Sequence, residues 1–296
     1  MPAHALIELR DVDIAAGSTS LVRHLSLDIA PGRVLAIVSE RADVRTAIAA
    51  VLSGATDDYS VEGDLTMDGR ELVGRVASQS VTQAEQYVAR LQGPADVRVR
   101  VRDIADVTIL ERVHLTAMTV VDERVNSLAE DDRVRAAFAM ALARSPRLLV
   151  LDLPYGADAN TLYPTYSALI QGLSRDGSLT IVVCTDSLAV AADVADDVLV
   201  TLDGRPVEYG SVYDICLRPA MPYAQDLLRV TPSPHRVLPE FLAFVDVTRR
   251  DGCPWVLSCR ADVVRDCSHV LPSMHRVAPG HIAACHLLEA PHGTHA

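Results

Sequence analysis

An α/β fold built on a parallel sheet, with a small cysteine-rich extension, is predicted by three features. The first is Leu148-Leu149-Val150-Leu151-Asp152-Leu153-Pro154, a large apolar run ending on one carboxylate and a proline. It describes a strand buried on both faces that delivers an acid at its C-terminal end. The second is the recurrence of such buried runs, Val34 to Val38 and Leu179 to Cys184, each followed by a helix-forming segment, as expected of a sheet with helices on its faces. The third is the crowding of Cys253, Cys259, Cys267 and Cys285 into the last 44 residues.

The 296 residues suffice for one α/β domain of ordinary size and a smaller appendage. A hydrophobic content of 49% with a net charge of −12 fits a soluble globular chain, and no Lys/Arg cluster offers a nucleic-acid surface, so no nucleic-acid partner is expected. No apolar run reaches the ~18–20 residues needed to span a bilayer. Met1-Pro2-Ala3-His4 lacks the basic start and apolar stretch of a leader. The expectation is a cytoplasmic chain whose membrane contact comes through a partner. In such a chain the six cysteines read as thiols or metal ligands, not disulfides.

Taken in order, Leu6 to Ile14 and Leu21 to Ile29 alternate apolar with polar on either side of Gly17-Ser18-Thr19-Ser20, which predicts antiparallel strands. Pro31-Gly32 turns the chain into the buried strand Val34 to Val38, and Ser39 to Thr46 leads into a helix over Ala47 to Leu52. Asp68-Gly69-Arg70 marks a turn after the apolar positions Val61 and Leu65. Arg133 to Ala143, rich in helix formers and almost uncharged after Arg135, predicts a helix packed on the strand that starts at Leu148. Leu162 to Leu173 and Ala189 to Ala195 read as helices, and Val198 to Leu202 as a strand.

Helix, Arg144-Ser145-Pro146-Arg147 and strand together resemble the Walker B region of ABC-transporter ATPases, roughly A-x-A-L-A-x-x-P-x-L-L-h-x-D-E-P. Upstream, Ser39-Glu40-Arg41-Ala42-Asp43-Val44-Arg45-Thr46 lies in frame over that family's P-loop, GxxxxGK followed by Ser or Thr. The resemblance implies an ABC-type nucleotide-binding domain over residues 1–230, with a RecA-like core and antiparallel β and helical subdomains. The helical subdomain would include 95–125, although Val97-Arg98-Val99-Arg100-Val101-Arg102 alternates like a strand with a basic face. It also implies nucleotide-side roles for Arg45, which keeps the positive charge of the family lysine, Thr46, which keeps the magnesium-binding hydroxyl, and Asp152. Gln92, in Val88-Ala89-Arg90-Leu91-Gln92-Gly93-Pro94, takes the place of the glutamine that touches magnesium and couples to the membrane subunit.

Around these residues the family chemistry is altered. Ser39, Ala42 and Val44 stand at glycine positions, where a phosphate-wrapping loop would force them to positive φ at ~1–3 kcal/mol each. Asp43 would add a carboxylate beside a phosphate, a repulsion of ~4 kcal/mol at ~4 Å and an effective dielectric of ~20. Leu153 replaces the catalytic glutamate, and loss of a positioned base typically costs ~10²–10⁴ in rate. Leu128-Ala129-Glu130-Asp131-Asp132 lies over the signature LSGGQ, with acids that suit the start of their own helix and would repel a phosphate. Ala157-Asp158-Ala159 lacks the D-loop aspartate in register, and Asp186 replaces the switch histidine. No catalytic residue is nominated, and ATP with magnesium is expected to bind weakly or not at all.

Arg218-Pro219-Ala220-Met221-Pro222-Tyr223 with Leu227-Leu228 is similar to RPxHPYTxxLL of the dipeptide/oligopeptide branch. The stretch from Gly252-Cys253-Pro254 to Cys285-His286-Leu287 is similar to that branch's extension, GCPFxxRC…C…APGHxxACHL. Residues 231–296 would be this extension. The spacing C-x5-C-x7-C-x17-C differs from zinc knuckles built on short Cys-x2–4-Cys pairs, and four thiolates on longer loops can close around a cubane. The resemblance implies a four-iron four-sulfur (4Fe-4S) cluster held by Cys253, Cys259, Cys267 and Cys285; zinc and no metal stay open.

The whole then resembles a degenerate nucleotide-binding subunit of a peptide-type importer, peripheral on the cytoplasmic face of the membrane. It would pair with a second, catalytic ABC ATPase subunit, dock on two transmembrane permease subunits and serve a substrate-binding protein indirectly. Two other readings stay open: an iron–sulfur sensor or interaction protein derived from such an ATPase, and an active ATPase that works with altered residues.

Overall fold

The computed structural model describes residues 5–73, 88–90, 97–118, 120–153, 157–230, 252–261 and 265–289. Strands β1 (Ile7–Ala16), β2 (Thr19–Ile29), β4 (Ser60–Met67) and β5 (Arg70–Val73) form an antiparallel sheet in the order β2-β1-β4-β5, and β3 (Val34–Val38) leaves it for the second sheet. That sheet adds β6 (Val88–Arg90), β7 (Leu148–Asp152), β8 (Thr180–Thr185), β9 (Asp197–Leu202), β10 (Arg205–Ser211), β11 (Met274–Ala278) and β12 (His281–Ala284). Its order is β11-β12-β10-β9-β3-β8-β7-β6. From β9 to β6 the pairing is parallel; from β9 to β11 it is antiparallel.

Two-faced burial explains the apolar runs. Along β7, Leu148 and Val150 join the core under the antiparallel sheet, whereas Leu149, Leu151 and Leu153 join the core on the opposite face. In β8, Val182 and Cys184 take the first side and Ile181 and Val183 the second. With a side-chain period of two, every position of these strands needs an apolar residue. Helix α1 (Ala42–Leu52) covers the first face; α3 (Glu130–Leu142) and α4 (Ala157–Ser174) lie on the second, and α2 (Val107–Arg112) abuts α3. A third core gathers Ala36, Val38 and Val200 with α5 (Leu188–Val194), α6 (Val212–Leu217) and α7 (Pro222–Val230), and it includes Trp255 and Ala283.

Two Asp-Gly pairs close hairpins where both residues must take positive φ. Asp68 and Gly69 (φ 51° and 73°) join β4 to β5, and Asp203 and Gly204 (φ 48° and 71°) join β9 to β10. Gly204 is required twice over, because a Cβ there would collide with the Leu21 carbonyl oxygen of β2.

Three expectations change. Helix α1 begins at Ala42, five residues before the predicted start, since nothing holds residues 42–46 out of helical geometry. Residues 97–125 are helical only in short pieces: α2 and single turns at Val101–Asp103 and Val125–Ser127. The alternating stretch from Val97 bonds to the segment 121–126 through Val101 N to Glu123 O and Val125 N to Val99 O, both at 3.0 Å. It then coils at Val101, so an isolated bridge between Arg100 and Arg124 replaces the strand.

Residues 252–289 reach the sheet through β12, whose Ala283 and Ile282 pair with Glu208 and Tyr209 of β10. No described helix is long and apolar enough to cross a membrane.

Candidate functional site

Strand β3 ends at Val38 and α1 begins at Ala42, leaving Ser39, Glu40 and Arg41 as the connection. None of Ser39, Ala42 or Val44 has positive φ, so the strain that a phosphate-wrapping loop would impose on them does not arise. A phosphate cradle needs successive backbone N–H groups that converge on one point. Here the Arg41 N–H donates to Ser39 Oγ at 3.4 Å, and the Val44 N–H to Asp43 Oδ1 at 2.9 Å.

Arg45 does not project outward as a phosphate-binding cation would. Its side chain is buried, at 2% exposure, and Nη1 donates to the Ser39 carbonyl oxygen at 2.7 Å. The Asp43 carboxylate is held within the same segment by a two-pronged pair with Arg41 at 2.7 and 3.0 Å. That guanidinium holds the Asp43 carboxyl below its ordinary pKa. Arg41 also donates to Asp203 Oδ1 at 3.0 Å. The connection is therefore stapled to the β9–β10 hairpin. Glu40 adds to this by accepting from the Asp203 N–H at 2.7 Å, and burial pushes its pKa up.

Thr46 and Asp152 do meet. The β7 alternation aims Asp152 at the α1 face, and Thr46 Oγ1 donates to its Oδ2 at 2.7 Å. One residue on, Leu153 is 7% exposed within the opposite core, where it is a packing residue. At the start of α3, Glu130, Asp131 and Asp132 fill the first turn, where they complement the helix dipole. Glu130 faces Arg133 at 3.5 Å, Asp132 faces Arg135 at 3.7 Å, and Asp131 accepts from Thr165 at 2.8 Å. Asp186 is exposed after β8. Gln92 lies outside the described residues, as do the side chains of the D-loop segment.

The second site adjoins β12, which ends at Ala284 beside Cys285. Cys253, Cys259, Cys267 and Cys285 all line one pocket, with Trp255 and His286 in its wall. None of the six cysteines forms a disulfide. Burial, with a smaller contribution from the three neighbouring thiols, pushes Cys253 up to about 11. Among the described residues no group of three or more Cys, His, Asp or Glu side chains stands in a geometry that could hold one metal ion.

Sequence reasoning missed the groups that fix both sites. Glu208 is wholly buried and accepts from the Ala220 N–H at 2.7 Å and the Met221 N–H at 3.0 Å, with His281 Nε2 at 2.7 Å. It thus ties β10 and β12 to the turn that forms part of the cavity wall. Its signal was available, since Glu208 and His281 sit in GRPVEYG and APGH. Arg41 and Glu40 carried none.

No model of a protein family matches the chain. Curated relatives include the oligopeptide transport ATP-binding protein OppD of Salmonella typhimurium, 26% identical over 317 residues that cover 96% of this chain and 94% of the relative. The Escherichia coli protein of the same name is 25% identical over 96% of this chain and 93% of its own length. A probable peptide ABC transporter ATP-binding protein of Sinorhizobium fredii is 32% identical over 60% of this chain and 55% of its own. Among solved structures, cbiO1 from Clostridium perfringens, part of the ABC transporter complex cbiONQ, superposes with a TM-score of 0.61 at 16% identity, covering 72% of this chain and 90% of that one. The fold is that of an ABC-type nucleotide-binding domain.

Proposed function

We propose that this chain is an ATP-binding-type subunit of a peptide-type ABC importer that assembles and couples the complex without hydrolysing ATP itself. The peptide-transport assignments of its full-length relatives support the importer part. The observation that carries the degenerate part is Arg45. Its guanidinium is buried on the Ser39 carbonyl oxygen in a connection of three residues, so the charge that would grip a phosphate is spent inside the chain. The acids at the start of α3 and the buried Leu153 point the same way.

In this reading the chain pairs with a second ATP-binding subunit whose motifs are intact, beneath two permease subunits fed by a substrate-binding protein. In ABC dimers each ATP lies between one subunit's P-loop and the other's signature, so this chain weakens both sites and the remaining turnover depends on the partner's glutamate. The test is ATP turnover by the reconstituted complex after the partner's Walker B glutamate is changed to glutamine. Abolished turnover is expected; turnover that persists, or saturable ATP–Mg²⁺ binding by the purified chain that Arg45→Ala removes, overturns the reading.

For the four-cysteine cavity we propose a 4Fe-4S cluster. Four cysteines lining one cavity match its ligand set, and in a cubane each thiolate binds a different iron. A buried indole N–H in the wall that lacks an acceptor among the described residues also fits a sulfur-rich occupant. Cys253, Cys259, Cys267 and Cys285 would hold the cluster, which would staple an extension too small to build much core alone. Equimolar acid-labile sulfide and iron after anaerobic reconstitution are expected; zinc without sulfide contradicts it.

A further inference from the structure

We infer that Trp255 is a hydrogen-bond donor to a sulfur of the group held by the four cysteines, which rests on the cluster reading above. Trp255 is 4% exposed and lines the cavity with the four thiols. Its Nε1 is sealed from solvent, and no acceptor for it exists among the described residues. An indole N–H can only donate, and a buried donor left unmatched costs ~1–3 kcal/mol. The branch pattern GCPFxxRC has phenylalanine at this position, which gives ring packing without that cost. The chain carries the indole instead.

The rest of the wall narrows the acceptor. Met221, Pro222, Val256 and Leu287 bring apolar side chains. His286 has both ring nitrogens engaged, Nδ1 with Glu289 Oε1 and Nε2 with the Val270 carbonyl oxygen, each at 2.9 Å. The remaining lining residues are the four cysteines. The ring is held in place by Tyr223, packed edge to face with centroids 4.9 Å apart at 62°. Tyr223 in turn lies at the start of α7, directly after the Ala220 and Met221 amides that Glu208 anchors.

A hydrogen bond to a cluster sulfur draws electron density from it and favours the reduced state. The experiment is anaerobic loading of the full chain and of Trp255→Phe with ferrous iron and sulfide, followed by metal and sulfide analysis and a mediated redox titration. Equal loading with a more negative midpoint in Trp255→Phe is expected. In the wild type the emission of Trp255, the chain's one tryptophan, should be quenched on loading. Pulsed electron paramagnetic resonance of reduced wild type, labelled with ¹⁵N at the indole, should show coupling to that nitrogen; this arm decides the matter should Trp255→Phe fail to fold or load. Full loading with equal midpoints, or no nitrogen coupling, overturns this inference alone. Wild-type protein that takes up neither iron nor sulfide overturns the cluster reading, and this inference with it.

Discussion

The connection from Ser39 to Thr46 and the cavity of the four cysteines belong to one sheet, yet they differ in where their polar groups are engaged. At the first, a strand, a connection and a helix bring polar groups that bond to one another: Arg45 to Ser39, Asp43 to Arg41, Thr46 to Asp152. At the second, four thiols face one space, and the charged groups nearby serve to fix the walls, as Glu208 does with His281. A binding site is recognised less by the residue types present than by whether their hydrogen-bonding capacity is already spent.

The sharpest way to break this contrast is at the cysteines. Cys253→Ser should lower iron bound after reconstitution by at least about tenfold, read by metal analysis, because a serine does not replace a thiolate ligand. Unchanged iron would remove the cavity from the comparison.

Next in size is Leu153→Glu. It places a carboxylate in a core position that is 7% exposed, so urea unfolding should show a loss of about 2–4 kcal/mol. No ATP turnover should appear; if it did, the loop would be a working cradle short of one base. Thr46→Val removes the hydroxyl that meets Asp152 and should cost about 1 kcal/mol by the same measurement, without changing any interaction with ATP.

The smallest effect is a pH dependence. Burial raises the folded-state pKa of Glu40 above its ordinary value of 4.5. Between the two values the folded chain therefore binds more protons than the unfolded one, and stability falls as pH rises through that window. Thermal melts of wild type and Glu40→Gln should show the wild type losing ground to the variant between pH 4.5 and neutrality. A gap that stays constant would mean that the staple from Glu40 to the Asp203 amide carries no electrostatic penalty.

How far the fold could be read ahead varied with the kind of signal. Strand β7 was legible because burial on both faces demands an apolar residue at every position, and Asp68-Gly69 because positive φ at two successive residues selects that pair. The start of α1 was not. Its register over a P-loop pattern carried an assumption about conformation, and with Ala42, Asp43 and Val44 in place of a glycine-rich turn, helical geometry is the lower-energy choice. The alternation of Val97 to Arg102 failed for another reason, since a strand also needs a partner, and here only a loop was within reach.

The amino-acid sequence by itself determined the α/β class, the buried strands, the Asp-Gly turn and the cluster of cysteines, because periodicity, φ preference and spacing are local properties. Only the tertiary structure decided that Arg45 is consumed by a carbonyl oxygen, that Leu153 is core, that Glu208 and His281 pair across 73 positions, and that Trp255 keeps an N–H without an acceptor among the described residues. The physical reason is that a polar group's role depends on which partners the rest of the chain brings within about 3 Å of it.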